Sequence, residues 1–291
     1  MQLQCRLHDV GSYAGLIDGR FGPLTEAAVR AYQVEHGFAP TGTVDESTWR
    51  SVTDLPIPAL RERCLQLTAA LEGNEFGLVR GNWDGAGLTW GIIGFTLKHA
   101  ELSLIVMEVF ANQPEVLRSC FGDRTEELIA RLQAPKREQE AWANSISMPP
   151  DKVKVAEPWR SAFKRFGEHE AVQAIQTRRA YEEYLEPARR TATKYGLATE
   201  LGLALCFDIH VQNGGVDPVD ALVIDVALKA HPPADERALR TIIANAVADN
   251  VRDDFREDVR ARKLAIATGA GAVHGEAFTL RHWGLEELPS D

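Results

Sequence analysis

The chain has 291 residues, with 32 Lys and Arg against 42 Asp and Glu, which gives a formal net charge of -10 at pH 7. Because domains usually hold about 100–200 residues, this length allows two of them. The acidic balance argues against nucleic acid or an anionic membrane surface as a partner, and would attract only a polycationic polymer. No run reaches about 18 uncharged apolar residues, so we expect no membrane span.

The four cysteines are scattered, with no CxxC pair and no metal-ligand spacing (Cys5, Cys64, Cys120 and Cys206). We predict free thiols, which suit a reducing compartment. The opening MQLQCRLHDVG lacks the basic start and apolar core of a secretory signal. We therefore expect synthesis in the cytoplasm and, for an external target, delivery by a holin or a secretion system. No HExxH, nucleophile elbow or P-loop occurs, so no metal or cofactor is expected.

Three short helices are expected at the N-terminus. The first covers residues 2–9, Thr25 caps the second, and the third runs from Asp45 to Val52. A turn-rich stretch with four glycines separates the first two helices. This pattern predicts a small helical module over residues 1–54, followed by a linker at Pro56 and Pro58.

The turn-rich stretch resembles the peptidoglycan-binding domain 1 family. The resemblance rests on GSYAGLIDGRFGPLT at 11–25, AVRAYQ at 28–33 and TGTVD at 41–45. It implies a three-helix module that holds its protein on a cell-wall polymer and thereby raises the local concentration there. The module's exposed face would do the binding, through Asp18, Arg20 and Tyr32.

A second domain is expected over residues 59–291. A helix from 59 to 71 shows apolar residues at helical spacing and breaks at Glu72, and residues 76–95 are rich in Gly, Trp and Thr, which indicates a short β region. The remainder is predicted to form helices near 99–112, 124–132, 135–147, 157–166, 169–195, 199–212, 216–230 and 235–267.

Two carboxylates of this domain suit glycosidic bond cleavage. That reaction needs one carboxylic acid to protonate the leaving oxygen and a second carboxylate to activate water or attack carbon. Glu72 ends an apolar helix, where a partly apolar site would raise its pKa. Asp84 follows in a separate, glycine-rich segment. Glu75 is the alternative acid.

The segment from Asp84 onward resembles the chitosanase family of the lysozyme-like superfamily. The pattern is Asp84-Gly-x-Gly-x-Thr89-x-Gly-Ile-Ile-Gly-Phe95, with Glu72 at a helix end before it. The resemblance implies that Glu72 is the general acid, Asp84 the general base and Thr89 the residue that holds the attacking water. It also implies inversion, with carboxyl groups about 6.5–9.5 Å apart. Ala86 stands where chitosanases have Arg, and the 12-residue Glu-to-Asp interval is short, so the substrate need not be chitosan.

Several further residues could support this site. Asp208, on an apolar helix, needs a partner if buried, and Arg260 or Arg262 would supply it. The candidate substrate contacts are Trp83 and Trp90 for sugar stacking, Gly87 for close approach, and His210, Asn213 and His274.

The sequence therefore predicts a mainly α, monomeric protein with a three-helix wall-binding module and a lysozyme-like domain containing a short β region. Its expected function is hydrolysis of the β-1,4-linked glycan strands of peptidoglycan, as in a phage endolysin. The alternatives are a chitosanase with a wall-binding module, a non-catalytic wall-binding or phage structural protein, and a transglycosylase that needs only Glu72.

Overall fold

The computed structural model describes residues 2–17, 21–72 and 75–290. These residues form two compact units, one from the ranges 1–67 and 188–291 and the other from 68–187. The fold is mainly α, as the sequence predicts. In chain order the helices are α1 (Gln2–Asp9), α2 (Pro23–Glu35), α3 (Glu46–Thr53), α4 (Leu60–Glu72), α5 (Glu101–Asn112), α6 (Pro114–Phe121), α7 (Thr125–Gln133), α8 (Lys136–Ile146), α9 (Trp159–Glu168), α10 (Glu170–Ala180), α11 (Glu186–Tyr195), α12 (Glu200–Asn213), α13 (Pro218–Ala230), α14 (Glu236–Asp249) and α15 (Asp253–Thr268).

Within the described residues, five short strands form two antiparallel sheets. The strands are β1 (Val79–Arg80), β2 (Thr89–Trp90), β3 (Phe95–Thr96), β4 (Ala270–Val273) and β5 (Glu276–Thr279). The first three pair in sequence order, which confirms the short β region expected over 76–95. Strands β4 and β5 form a hairpin after the last predicted helix, where the sequence indicated no strand. Among the described helices, none is both long and apolar enough to cross a membrane.

Helices α1 to α3 pack around a small core of their own, which includes Leu7, Tyr13, Val29 and Tyr32. Helix α2 begins at Pro23, with Gly22 as its N-cap, and so starts two residues before the expected cap at Thr25. Proline suits a first helical position because its φ is already helical and its missing N–H would have had no partner there.

Helix α12 is the core of the first unit, because most of its side chains are buried, and α14 and α15 pack against it. The prediction of a single helix over 235–267 is wrong. The chain breaks at 250–252, and α15 folds back against α14. Asn250, at the end of α14, donates a hydrogen bond of 2.9 Å to Asp217. The packing of α15 on α14 is a tertiary contact, so local periodicity did not reveal the break.

The second unit surrounds an aromatic core. Trp90 of β2 stacks on Phe166 with ring centroids 5.3 Å apart, and Phe121 contacts Phe163 and Phe166 edge-on. Helix α5 packs against β3 and α9 against β1, so these two helices support the three-stranded sheet.

Candidate active site

Glu72 is the last described residue of α4 and is half-buried. Its backbone carbonyl accepts a 3.4 Å hydrogen bond from the Arg80 guanidinium in β1. Arg80 is in turn the cross-strand partner of Thr89 in β2. The helix end that carries the candidate acid is thus joined through one residue to the strand that carries Thr89. The alternative acid, Glu75, is exposed.

Asp84 is exposed in the connection between β1 and β2. One carboxylate oxygen accepts a 2.9 Å hydrogen bond from the backbone N–H of Ala86. The buried Asn82 side chain closes the same turn by accepting from the Gly87 N–H at 2.8 Å. Gly85 and Gly87 both have left-handed φ, which explains why glycine is needed at each. Within the described residues the second oxygen of Asp84 has no hydrogen-bond partner, so it is available to a water.

Thr89 lies half-exposed in β2, opposite Thr96 of β3. Among the residues that the structure describes, its hydroxyl has no hydrogen-bond partner. Thr96 is held by the buried carboxylate of Glu101, which accepts from its backbone N–H and its hydroxyl, each at 2.9 Å. Tyr184 donates to the other oxygen of Glu101. Glu101 and Tyr184 therefore fix the strand beside Thr89, a role that no sequence signal indicated.

Two of the predicted substrate contacts are wrong, because the structure buries both residues. Trp90 is 0% exposed, and its indole N–H donates 3.1 Å to the carbonyl of Phe163, so it belongs to the core and offers no face to a sugar. Gly87 is also buried, and a Cβ there would lie 3.0 Å from Leu97. Glycine is needed at position 87 for a tight turn, and the residue is too buried for substrate to approach it. Trp83, in contrast, is 50% exposed directly beside Asp84.

Gln176 of α10 supports the glycine-rich segment from behind. Its fully buried amide accepts from the Ile92 N–H and donates to the Phe76 carbonyl, both at 3.0 Å. A Cβ on Gly91 would lie only 2.3 Å from its oxygen. The glycine at 91 is therefore explained by this close approach and by its φ of 92°. A lone Gln on a helix gives no sequence signal for such a contact.

In the first unit, Asp208 has the buried ion network that the sequence predicts. Arg262 contacts it at 2.6 Å, whereas Arg260 pairs with Asp249 near the surface. Lys263, which the sequence did not indicate, adds a second buried cation at 2.5 Å. Burial alone would raise the pKa of Asp208, but the two cations outweigh it and lower the pKa to about 2.

The remaining candidate contacts also lie in the first unit. His210 shares a 2.9 Å hydrogen bond with Thr191, and burial lowers its pKa, with Arg190 adding to the effect. Asn213 has a buried side-chain oxygen with no partner in the described part of the chain, and its contact with substrate stays a prediction. His274 is exposed at the β4–β5 turn and pairs with Asp258 at 3.0 Å. Its contact with substrate stays a prediction.

In the N-terminal module, the expected binding role of Tyr32 is corrected. Its ring is 3% exposed, stacks on His36, and places its hydroxyl 2.9 Å from Ser51. It is a core residue because α2 turns this face inward. Asp18 and Arg20 lie outside the described residues, so their roles stay predictions. The catalytic roles of Glu72, Asp84 and Thr89 and the domain boundary at 54–59 likewise stay predictions.

The four cysteines are free thiols. Three of them, Cys64, Cys120 and Cys206, are buried, and burial raises the pKa of Cys64 and of Cys206 to about 12. No group of three His, Cys, Asp or Glu that could hold a metal occurs in the described residues.

The N-terminal module and the larger part of the chain are similar to different known proteins. Residues 1–52 match the family model described as a putative peptidoglycan binding domain. Over 50 residues the chain is 48% identical to the N-acetylmuramoyl-L-alanine amidase CwlM of Mycobacterium tuberculosis. That alignment covers 17% of this chain and 12% of the amidase, so it concerns the module alone.

The larger part resembles solved chitosanases in fold. A GH46 chitosanase of Gynuella sunshinyii in complex with chitotetraose superposes with a TM-score of 0.54 and 16% identity, covering 77% of this chain and 98% of that one. A mutant chitosanase of Bacillus subtilis complexed with 6 GlcN superposes with a TM-score of 0.51 and 20% identity, covering 76% of this chain and 95% of that one. At these identities the likeness establishes the fold, and the chain therefore combines a peptidoglycan-binding-type module with a chitosanase-like fold.

Proposed function

We propose that this protein is a glycoside hydrolase that cleaves the β-1,4-linked glycan strand of peptidoglycan. The observation that carries the proposal is the placement of Glu72, Asp84 and Thr89 on adjoining elements of a chitosanase-like fold. Glu72 ends a helix whose terminal carbonyl contacts β1, Asp84 is at the tip of the next turn, and Thr89 lies in β2.

Each residue has a chemical role in this proposal. Glu72 protonates the leaving oxygen, and Asp84 removes a proton from the attacking water. Thr89 has a free hydroxyl within the described residues and helps to hold that water. Asp84 is suited to be the base because it is exposed and keeps one oxygen unengaged beside the Ala86 hydrogen bond. Water as nucleophile would invert the configuration at the anomeric carbon.

Peptidoglycan is preferred as substrate because of the N-terminal module, whose family model describes peptidoglycan binding. Chitosan is the second candidate, favoured by the fold, since the similar solved structures are chitosanases. Ala86, which places no charge beside Asp84, weakens that alternative. We further propose that the protein acts on the cell wall after delivery from the cytoplasm.

The test compares Glu72→Gln and Asp84→Asn with the parent protein on purified sacculi and on chitosan. We expect each variant to lose at least about 100-fold in wall-lytic activity, because general acid–base catalysis contributes about 10²–10⁴-fold. Both changes are near-isosteric, and circular dichroism confirms that the fold is retained. Glu75→Gln serves as the matched control and should keep full activity.

Three results would contradict parts of this proposal. Full lysis of sacculi by both variants would remove the catalytic assignment. Release of reducing sugar from chitosan alone would make the protein a chitosanase. Anhydro-muropeptides in the product mass spectrum, together with an active Asp84→Asn variant, would indicate a transglycosylase that needs Glu72 only.

A further inference from the structure

Four large apolar side chains are exposed on the second unit, within its described residues. One of them, Leu104, lies on α5. The other three, Trp83, Met148 and Val153, are 50%, 44% and 37% exposed and lie on two loops. One of these loops contains Asp84, and the other runs from Ser147 to Val155. The three side chains can act together only if the two loops are held to each other.

Hydrogen bonds from two backbone N–H groups join the two loops directly. The Gly81 N–H donates to the carbonyl of Val153 at 2.9 Å, and the Asn82 N–H donates to the Ser147 hydroxyl, also at 2.9 Å. A Cβ on Gly81 would lie 2.4 Å from the carbonyl oxygen of Lys152, so the loops approach as closely as glycine allows. The exposed apolar residues are therefore held close to the candidate base.

The Ser147–Val155 loop is itself closed at its base. Ser147 and Val155 form an antiparallel bridge, and the Met148 N–H donates to the carbonyl of Lys154 at 2.7 Å. The Ser147 hydroxyl also donates to the carbonyl of Ala143 at 2.6 Å, which ties the loop to α8. A surface on such a fixed loop loses little conformational entropy when it binds a ligand.

The charges around this surface give no preference for a cationic sugar. The exposed ionisable residues of the two loops are Asp84, Asp151, Lys152 and Lys154, and their charges cancel. The ammonium groups of chitosan's glucosamine units therefore gain no net attraction here. N-acetylated hexosamines are neutral at that position and present apolar ring faces and methyl groups, which pack on aromatic and aliphatic side chains.

We propose that Trp83, Met148 and Val153 form a binding surface for an N-acetylated hexosamine of the glycan strand, next to the bond that the water activated by Asp84 attacks. We call it the Trp83 surface. The proposal rests on the glycan-hydrolase function proposed above and assigns part of its substrate preference. The indole stacks on a sugar ring, and the two aliphatic side chains cover its acetamido methyl group.

Binding is measured by calorimetry in the Glu72→Gln background, so that no substrate is consumed. The probes are the N-acetylglucosamine hexamer and the fully deacetylated glucosamine hexamer. Adding Trp83→Ala should weaken binding of the N-acetylated hexamer about tenfold and change that of the deacetylated hexamer less than twofold. Met148→Ser should weaken the former about threefold, and Trp83→Phe should restore most of the loss. The matched control is Leu104→Ser, an exposed apolar residue outside the surface, which should change neither affinity.

Kinetics on glycan strands give a second readout. In the otherwise unchanged protein, Trp83→Ala should raise KM about tenfold with kcat within twofold, because stacking is made equally in the ground and transition states. Unchanged affinity in Trp83→Ala, or an equal loss for both hexamers, would overturn the Trp83 surface. Wall-lytic activity in Glu72→Gln would overturn the proposed function instead, because the hexamer titration does not depend on catalysis.

Discussion

Asp208 is a carboxylate buried between two cations, Arg262 and Lys263. Replacing it with Asn would leave both cations buried without their counter-ion. We expect Asp208→Asn to lower the free energy of unfolding by about 3–5 kcal/mol, measured by urea denaturation at pH 7. Arg260→Gln, which removes a cation near the surface, should cost less than about 1 kcal/mol. Equal losses in the two variants would contradict the network.

The same carboxylate makes stability dependent on pH. Its pKa is about 2 in the folded protein against 3.8 for the free group. Because the folded pKa is the lower one, the stabilisation is complete above about pH 4 and is lost as the pH falls towards 2. The stability measured across this window should therefore vary less with pH in Asp208→Asn than in the parent protein.

Trp83 and Trp90 show that the sequence predicts which residue types suit sugar binding but does not predict which of them are exposed. Both lie in one glycine-rich segment, and the sequence predicts a sugar contact equally for each. The structure buries Trp90 against Phe163 and Phe166 and leaves Trp83 half-exposed. The difference comes from α9, which packs on one side of β2, and no local pattern contains that information.

Among the structural elements, the Asp84 segment uses its glycines for two different physical needs. Gly85 has a φ of 82° and nothing within 4 Å of the place that a Cβ would take, whereas Gly91 has a φ of 92° and the Gln176 oxygen at 2.3 Å. Gly85→Ala should therefore lower the free energy of unfolding only by the strain of an alanine in the left-handed conformation, about 1–2 kcal/mol. Gly91→Ala should cost about 1–3 kcal/mol more, because it also displaces a buried hydrogen-bonding amide.

Urea denaturation of the two alanine variants checks this difference, with the Gly85 variant as the matched control. Equal costs would mean that Gln176 moves aside freely and does not support the segment. In that case Gln176→Leu would also leave the stability unchanged. We expect instead that Gln176→Leu lowers the free energy of unfolding, because it leaves the Ile92 N–H and the Phe76 carbonyl unsatisfied.

Helix boundaries were predictable where the signal is local. Asp45, the predicted start of the third helix, caps α3 by accepting from the Thr48 N–H at 2.7 Å. The break between α14 and α15 was missed because the return of α15 against α14 is a tertiary contact, which helical periodicity does not report. The β4–β5 hairpin was missed because its glycines and alanines lack the usual strand signal.

Across the whole molecule, an ion pair joins stretches far apart in the chain. Arg63 of α4 contacts Glu200 of α12 at 2.6 Å, with side chains 14% and 7% exposed. Arg63 also donates to the carbonyl of Gly284, and Glu200 accepts from the Glu286 N–H at 3.0 Å. These contacts bring α4, α12 and the C-terminal segment together within the first unit.

We expect Arg63→Met to lower the free energy of unfolding by about 3–5 kcal/mol, because it leaves Glu200 buried and unpaired. Arg50→Met, which breaks an exposed pair with Glu46, is the matched control and should cost at most about 1 kcal/mol. Thermal and urea unfolding measure both. If Arg63→Met behaves like the control, the pair does not hold these segments together.

Features that depend on neighbouring residues follow from the amino-acid sequence alone. The helical content follows from apolar periodicity, the N-terminal module from a continuous turn motif, and the Asp84 turn from glycines that the backbone conformation requires. Which side chains face solvent is set only when the chain has folded. Folding removes Trp90 and Tyr32 from the candidate contacts, gives Asp208 a second cation in Lys263, and joins the Asp84 loop to the Ser147–Val155 loop. Those outcomes depend on packing between segments distant in the chain, which no local pattern records.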